Sequence, residues 1–139
     1  MSNPVTAASA LLPVTSLYAG LFALFFSLLS FRVIRLRIKH RQPHGDGGID
    51  ELTRAVRVHG HFAEYVPLSL ILLLLLEYSR WPQQMLHVFG LLLLATRLIH
   101  AVGITRVPER MVFRLMAMII TLNLFAFAAV ALLMTWWRP

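Results

Sequence analysis

Cysteine is absent from the 139 residues, so the chain forms no disulfide and carries no cysteine nucleophile. Any thiol chemistry has to be brought by a ligand. Charge is scarce too: Asp, Glu, Lys and Arg make up 14% of the chain, against roughly 25% in a soluble domain. A chain of this kind lacks the polar surface to coat a water-soluble globule. No β-strand alternation and no internal repeat is visible, which argues against sheets and solenoids. Around His61 and His100 no HxxxH or HExxH pattern places two ligands on one helix face, and no carboxylate set completes a site, so no metal is expected. The net charge of +7 does not indicate nucleic acid. The basic residues cluster in short stretches between apolar runs, with no aromatic-interleaved basic surface.

What is present is apolar length. Hydrophobic residues make up 58% of the chain, and the mean hydropathy is +0.72. About 20 apolar residues cross a bilayer. Four such runs occur, at about 11–31, 52–78, 85–102 and 110–137. The expected fold is all-α: an antiparallel four-helix bundle in the membrane, forming one domain over residues 1–139. The first run has no basic segment before it and no small-residue cleavage site after it, so a cleaved signal peptide is not expected. A basic stretch follows it, and Pro43 with Gly45–Gly48 marks a loop over about 32–51. Asp50 and Glu51 suit the first turn of the next helix.

Charge asymmetry sets the orientation. Arg32, Arg35, Arg37, Lys39, Arg41, Arg54 and Arg57 flank the first loop, and Arg97, Arg106, Arg110 and Arg114 flank the third. The opposite side carries only Arg80 and Arg138. By the positive-inside rule both termini face away from the cytoplasm. For Arg32, Arg35, Lys39 and Arg41 this topological role is the expected one.

Some ionisable residues lie within the apolar runs. In RVHGHFAEYVP, Arg57, His61 and Glu64 fall at i, i+4 and i+7, one stripe of a helix, while His59 points elsewhere. Arg97 and His100 form a second pair at i, i+3, and Arg110 and Arg114 a third at i, i+4. Charges at membrane depth are costly and face a bundle interior or a watered cavity. They are functional candidates, although Arg57 and Glu64 could also serve only to tie helices together. Pro67 leaves the carbonyl of Ala63 without its helical donor, so a bend there either shapes a pocket or adjusts packing. Met111, Met116 and Met118 are read as packing, Asn123 as a bond to a neighbouring helix, and His87 has no evident role.

These residues resemble a known family. Arg57, His61, Glu64, Tyr65 and Pro67 look like the second-helix signature of the MAPEG family, membrane-associated proteins in eicosanoid and glutathione metabolism. RLRIKHR, GDGG, the Arg97/His100 pair, and Arg114, Ala117, Met118 and Thr121 fit in the same order. The pattern is most similar to the short bacterial branch. The resemblance implies a homotrimer in a bacterial inner membrane, with glutathione as co-substrate between subunits near the cytoplasmic side. It implies that Arg37, Arg57, His61, Glu64, Arg97 and His100 contact glutathione. It further implies that Arg114, or else Arg110, acts on the thiol. The implied activity is a glutathione-dependent transferase or peroxidase on lipophilic electrophiles, with membrane lipids and a lipophilic substrate as partners. The residue types suit this, since arginines grip carboxylates and a nearby guanidinium favours a thiolate.

Three departures bear on that reading. His61 stands where asparagine is usual, and Ile104 where eukaryotic members have tyrosine; the fourth span has no tyrosine at all. The alternative function is a non-catalytic membrane protein that binds an anionic lipid or metabolite, or a structural trimer.

Overall fold

The computed structural model describes residues 12–105 and 111–137. Among them are four helices: α1 Pro13–His40, α2 Asp50–Tyr78, α3 Gln83–Thr105 and α4 Met111–Trp136. Each is long and apolar enough to cross a membrane. The connection between α3 and α4, with Arg106 and Arg110, lies outside the described residues.

The start of α1 is built by a residue from the far end of α2. Pro13 stands at the first helical position, where its missing N–H costs nothing. The next two N–H groups, of Val14 and Thr15, donate to Glu77 Oε1 and Oε2 at 2.8 and 2.7 Å. One carboxylate thus does the work of an N-cap side chain, with its charge at the positive end of the helix dipole. Nothing in the local sequence of α1 shows this, because the partner is 63 and 62 residues away. Glu77→Ala is therefore expected to destabilise the fold by about 1–2 kcal/mol, the usual cost of a lost cap. The check is the unfolding midpoint in detergent; an unchanged midpoint would exclude the cap.

At its other end α1 does not stop where the apolar run stops at Phe31. RVIRLRIKH holds no glycine or proline, and the helix continues to His40. This extension has its own packing: Leu36 is buried against Leu52 and Ala55 of α2. The helix ends at Arg41 in the left-handed region, φ 50°. There the Arg41 N–H donates to the Ile38 carbonyl and the Gln42 N–H to the Arg37 carbonyl, at 3.2 and 3.0 Å. Pro43 follows. The loop is thus shorter than the expected 32–51. Gly47 needs its left-handed φ of 58°, and a Cβ there would press on the end of the Gln42 side chain at 3.0 Å. Asp46 closes the loop by accepting from the Gly48 N–H and the Thr53 hydroxyl. Those two bonds, the backbone one first, hold its carboxyl below the usual carboxylate range.

Neighbouring helices pack in chain order, and α2 touches all three others. Its buried positions, Ala55, Val58, Phe62, Val66, Ser69 and Leu73, recur every three or four residues, as an inner helix face requires. The buried face of α4 is narrower and smaller: Ala117, Thr121, Leu124, Ala128 and Ala131. Small residues let helix backbones approach in lipid, where apolar packing has no water to escape from. Gly90 on α3 serves the same end. A Cβ there would fall 2.3 Å from the Tyr18 ring. Tyr18 spends its hydroxyl on the His87 carbonyl at 3.0 Å, so His87 does have a part, as the anchor of α1 on α3. Asn123, expected to bond a neighbouring helix, instead donates to the Ile119 carbonyl of its own helix at 2.8 Å. His59 faces α1, as its spacing requires: its Nε2 lies 3.0 Å from the Ser30 hydroxyl and its ring stacks on Phe26.

Candidate functional site

Polar side chains are rare on these helices, so the place where they gather is informative. Three helices contribute. From α2 come His61 and Tyr65, one turn apart with parallel rings whose centroids are 5.3 Å apart. From α3 come Arg97 and His100, both only 3% exposed. The His100 ring meets the His61 ring at 4.4 Å between centroids. From α4 come Arg114 and Thr121. The Arg97 guanidinium lies over the Tyr65 ring, 5.5 Å from its centroid, and its Nη2 donates to the Thr121 hydroxyl. Thr121 in turn donates to the Ala117 carbonyl at 2.8 Å. The chain of contacts Thr121, Arg97, Tyr65, His61, His100 therefore links α4, α2 and α3.

Beside this cluster is a cavity of about 170 Å³ lined by His61, His100, Arg114, Met111, Leu115 and Met118. Several nitrogens of the cluster, two of them on histidines that line the cavity, have no internal use. His61 Nδ1, His100 Nε2 and Arg97 Nε and Nη1 are buried and lack a hydrogen-bond partner among the described residues. A buried polar group left unmatched costs about 1–3 kcal/mol. Among the described residues, the charged groups that act on His61 are Glu64, Arg97 and Arg114. Of these, one carboxylate against two guanidiniums leaves a positive excess, which suits an anion. Among the described residues no three His, Asp or Glu side chains gather as metal ligands would.

The eight candidate residues separate into groups. His61, Arg97, His100 and Arg114 converge. Arg57 and Glu64 lie on the exposed side of α2 and form no ion pair with each other. Arg37 is engaged locally: its Nη1 donates to the carbonyls of Pro43 and Gly45 at 3.1 and 2.9 Å, bracing the loop. Arg110 lies outside the described residues. Ile104 is 1% exposed and belongs to the apolar core, so no polar group replaces the absent tyrosine there. Pro67 sits inside α2, which continues past it, and lines an apolar groove of about 300 Å³ with Phe22, Phe26, Phe62, Ala63 and Val66.

Sequence reasoning did not single out Thr121 as the partner of Arg97, nor Met111 and Met118 as cavity walls. The available signal was a lone threonine in an otherwise apolar face.

The MAPEG family model matches residues 15–134. The chain belongs to the MAPEG family. It is 44% identical over 90 residues to "Inner membrane protein YecN" of Escherichia coli strain K12, covering 65% of this chain and 69% of the relative. The same figures hold for "Inner membrane protein YecN" of Escherichia coli O6:H1 strain CFT073. No solved structure matches the chain significantly. This MAPEG protein is thus an all-helical, multi-pass membrane protein of a family associated with glutathione.

Proposed function

We propose that this MAPEG protein is a glutathione-dependent transferase or peroxidase acting on lipophilic electrophiles in a bacterial inner membrane. One observation carries the reading: His61 and His100, each with a buried nitrogen that lacks a hydrogen-bond partner among the described residues, line a cavity with Arg114 on its wall, and Arg97 in the adjoining cluster has two more such nitrogens. Glutathione offers two carboxylates, an ammonium and a thiol. The cavity of about 170 Å³ is below the ~300–1,000 Å³ of a pocket that buries a whole small ligand. It accepts one end of the tripeptide, the sulfur. The charged ends then fall to residues exposed on a single copy, Arg57 and Glu64, with Arg37 of a neighbouring copy. That division supports a homotrimer of single-domain chains with glutathione between copies. The charge asymmetry supports termini facing away from the cytoplasm and the site near the cytoplasmic side.

The chemistry needs no protein nucleophile. The thiol proton leaves to water, and the thiolate is held by the guanidinium of Arg114, or of Arg110. Its sulfur then attacks the electrophilic carbon, whose leaving group departs with the bonding pair. The bilayer delivers the electrophile. A second reading, a non-catalytic binder of an anionic lipid or metabolite or a structural trimer, is favoured by Ile104 and by the tyrosine-free fourth span.

Glutathione titrated onto purified protein is expected to raise the unfolding midpoint, approaching ~2.7 kcal/mol at a hundredfold excess over Kd. Glu64→Ala, having lost the acceptor for the ammonium, is expected to shift only at higher glutathione. A wild type that does not respond to glutathione, yet is stabilised by an anionic phospholipid only while Arg57 and Arg97 are intact, would establish the second reading.

A further inference from the structure

Outside this site, the outer face of α1 carries an unassigned feature. Leu17, Leu21, Leu24, Leu28 and Phe31 recur at alternating steps of four and three, and each is 40% exposed or more. The stripe continues through Arg35 and Ile38, with Arg32 and Lys39 beside it, because α1 stays helical past the end of its apolar run. Apolar surface therefore changes to basic surface on one continuous helix face. At the change lies a groove of about 800 Å³ lined by Leu28, Phe31, Arg32, Arg35, Ile38 and Lys39. Lys39 already holds Glu51 at 3.0 Å. Arg32 and Arg35 have no hydrogen bond or ion pair with any described residue, and α1 is the least buried of the four helices.

We propose that this groove is a binding site for an anionic phospholipid, its phosphate held between Arg32 and Arg35 and an acyl chain lying along the leucine stripe. The dimensions agree. One leaflet of hydrocarbon is about 15 Å deep, and the ten helical steps from Leu21 to Phe31 rise about 15 Å. The charge agrees as well. The groove has one carboxylate, Glu51, already taken by Lys39, so both arginines are left available to an anion from outside. A second copy of the chain, itself rich in basic residues, matches them poorly. Basic residues at a helix end attract the anionic lipids of the cytoplasmic leaflet. Binding here is independent of any glutathione chemistry.

The test compares wild type with Arg32→Gln/Arg35→Gln in phosphatidylcholine vesicles with or without phosphatidylglycerol. Lipid retention is read by native mass spectrometry and stability by the unfolding midpoint. Wild type should retain phosphatidylglycerol and gain stability in the mixed vesicles. The double variant should retain it roughly 30-fold less while keeping its midpoint in pure phosphatidylcholine. Equal retention by both proteins overturns the proposal. So does equal protection of wild type by soluble glycerol phosphate, which would make the site one for free phosphate. The chain has no cysteine, so Leu24→Cys is a single reporter. Efficient disulfide formation between copies at that position would show a second chain on the stripe and also overturn the proposal.

Discussion

Arg114→Ala is expected to slow glutathione conjugation by about 10²-fold or more at neutral pH, the usual cost of removing one group that stabilises a developing or localised negative charge. The reasoning starts from the sulfur. A free thiol titrates near ~8.5, so only a few per cent is thiolate at neutral pH. A guanidinium on the cavity wall stabilises the thiolate and not the thiol, so the bound thiol titrates lower. His61 and His100 border the same cavity and can donate from nitrogens that have no partner among the described residues. Arg114 differs from them in being a guanidinium, a planar cation with several donors.

The pH dependence separates this role from a merely structural one. With Arg114 present, the thiolate is already formed at neutral pH, and kcat/KM should be level from there upward. Without it, the thiol returns to its ordinary range, and kcat/KM should climb with pH until about 8.5. The deficit of the variant should therefore be large at neutral pH and shrink in alkali. Arg114→Lys, which restores charge but not the planar fork, should recover part of the rate. A variant that is slower by the same factor at every pH would assign Arg114 to positioning. A variant as fast as wild type would move the role to Arg110, for which Arg110→Ala is the parallel measurement.

The sequence disclosed the helices because their signal is local. Runs such as LSLILLLLLE need nothing from elsewhere in the chain to be read, and GDGG with Pro43 marks a break by backbone chemistry alone. The extension of α1 to His40 was hidden, because charge was read as a loop signal where only glycine or proline would have stopped the helix. Helical spacing also brought Arg97 and His100 together on one face. It could not say which neighbour they meet. The ring contact of His61 with His100 and the bond of Arg97 to Thr121 depend on how three helices rotate against each other. The Arg57, His61, Glu64 stripe was correct as geometry. Nonetheless a stripe from i to i+7 turns through enough arc that His61 faces inward while Arg57 and Glu64 lie exposed. Glu77 was the most hidden group. Its role lies in capping a helix more than 60 residues away, and no motif marks it.

Arg97→Met is expected to raise the unfolding midpoint of the ligand-free protein and to abolish the stabilisation by glutathione. Arg97 is 3% exposed, and a charge at membrane depth costs about 2.5–3.5 kcal/mol on insertion scales. Against that cost stand one bond to Thr121 and the face of Tyr65. A desolvated cation over an aromatic ring is worth about 2 kcal/mol, and a hydrogen bond from a charged donor about 1.5–3 kcal/mol. Nε and Nη1 have no partner among the described residues, at about 1–3 kcal/mol each. The balance falls on the costly side by a few kcal/mol, so a flexible apolar side chain of similar reach should be gained as stability. Arg97→Ala, which also opens a cavity, should lose that gain, and comparing the two separates charge from volume. A stable, unresponsive Arg97→Met protein would mean that the bundle tolerates this arginine for the sake of a ligand. A midpoint below wild type would mean instead that the guanidinium holds α3 to α4, and the buried donors would no longer argue for an anion.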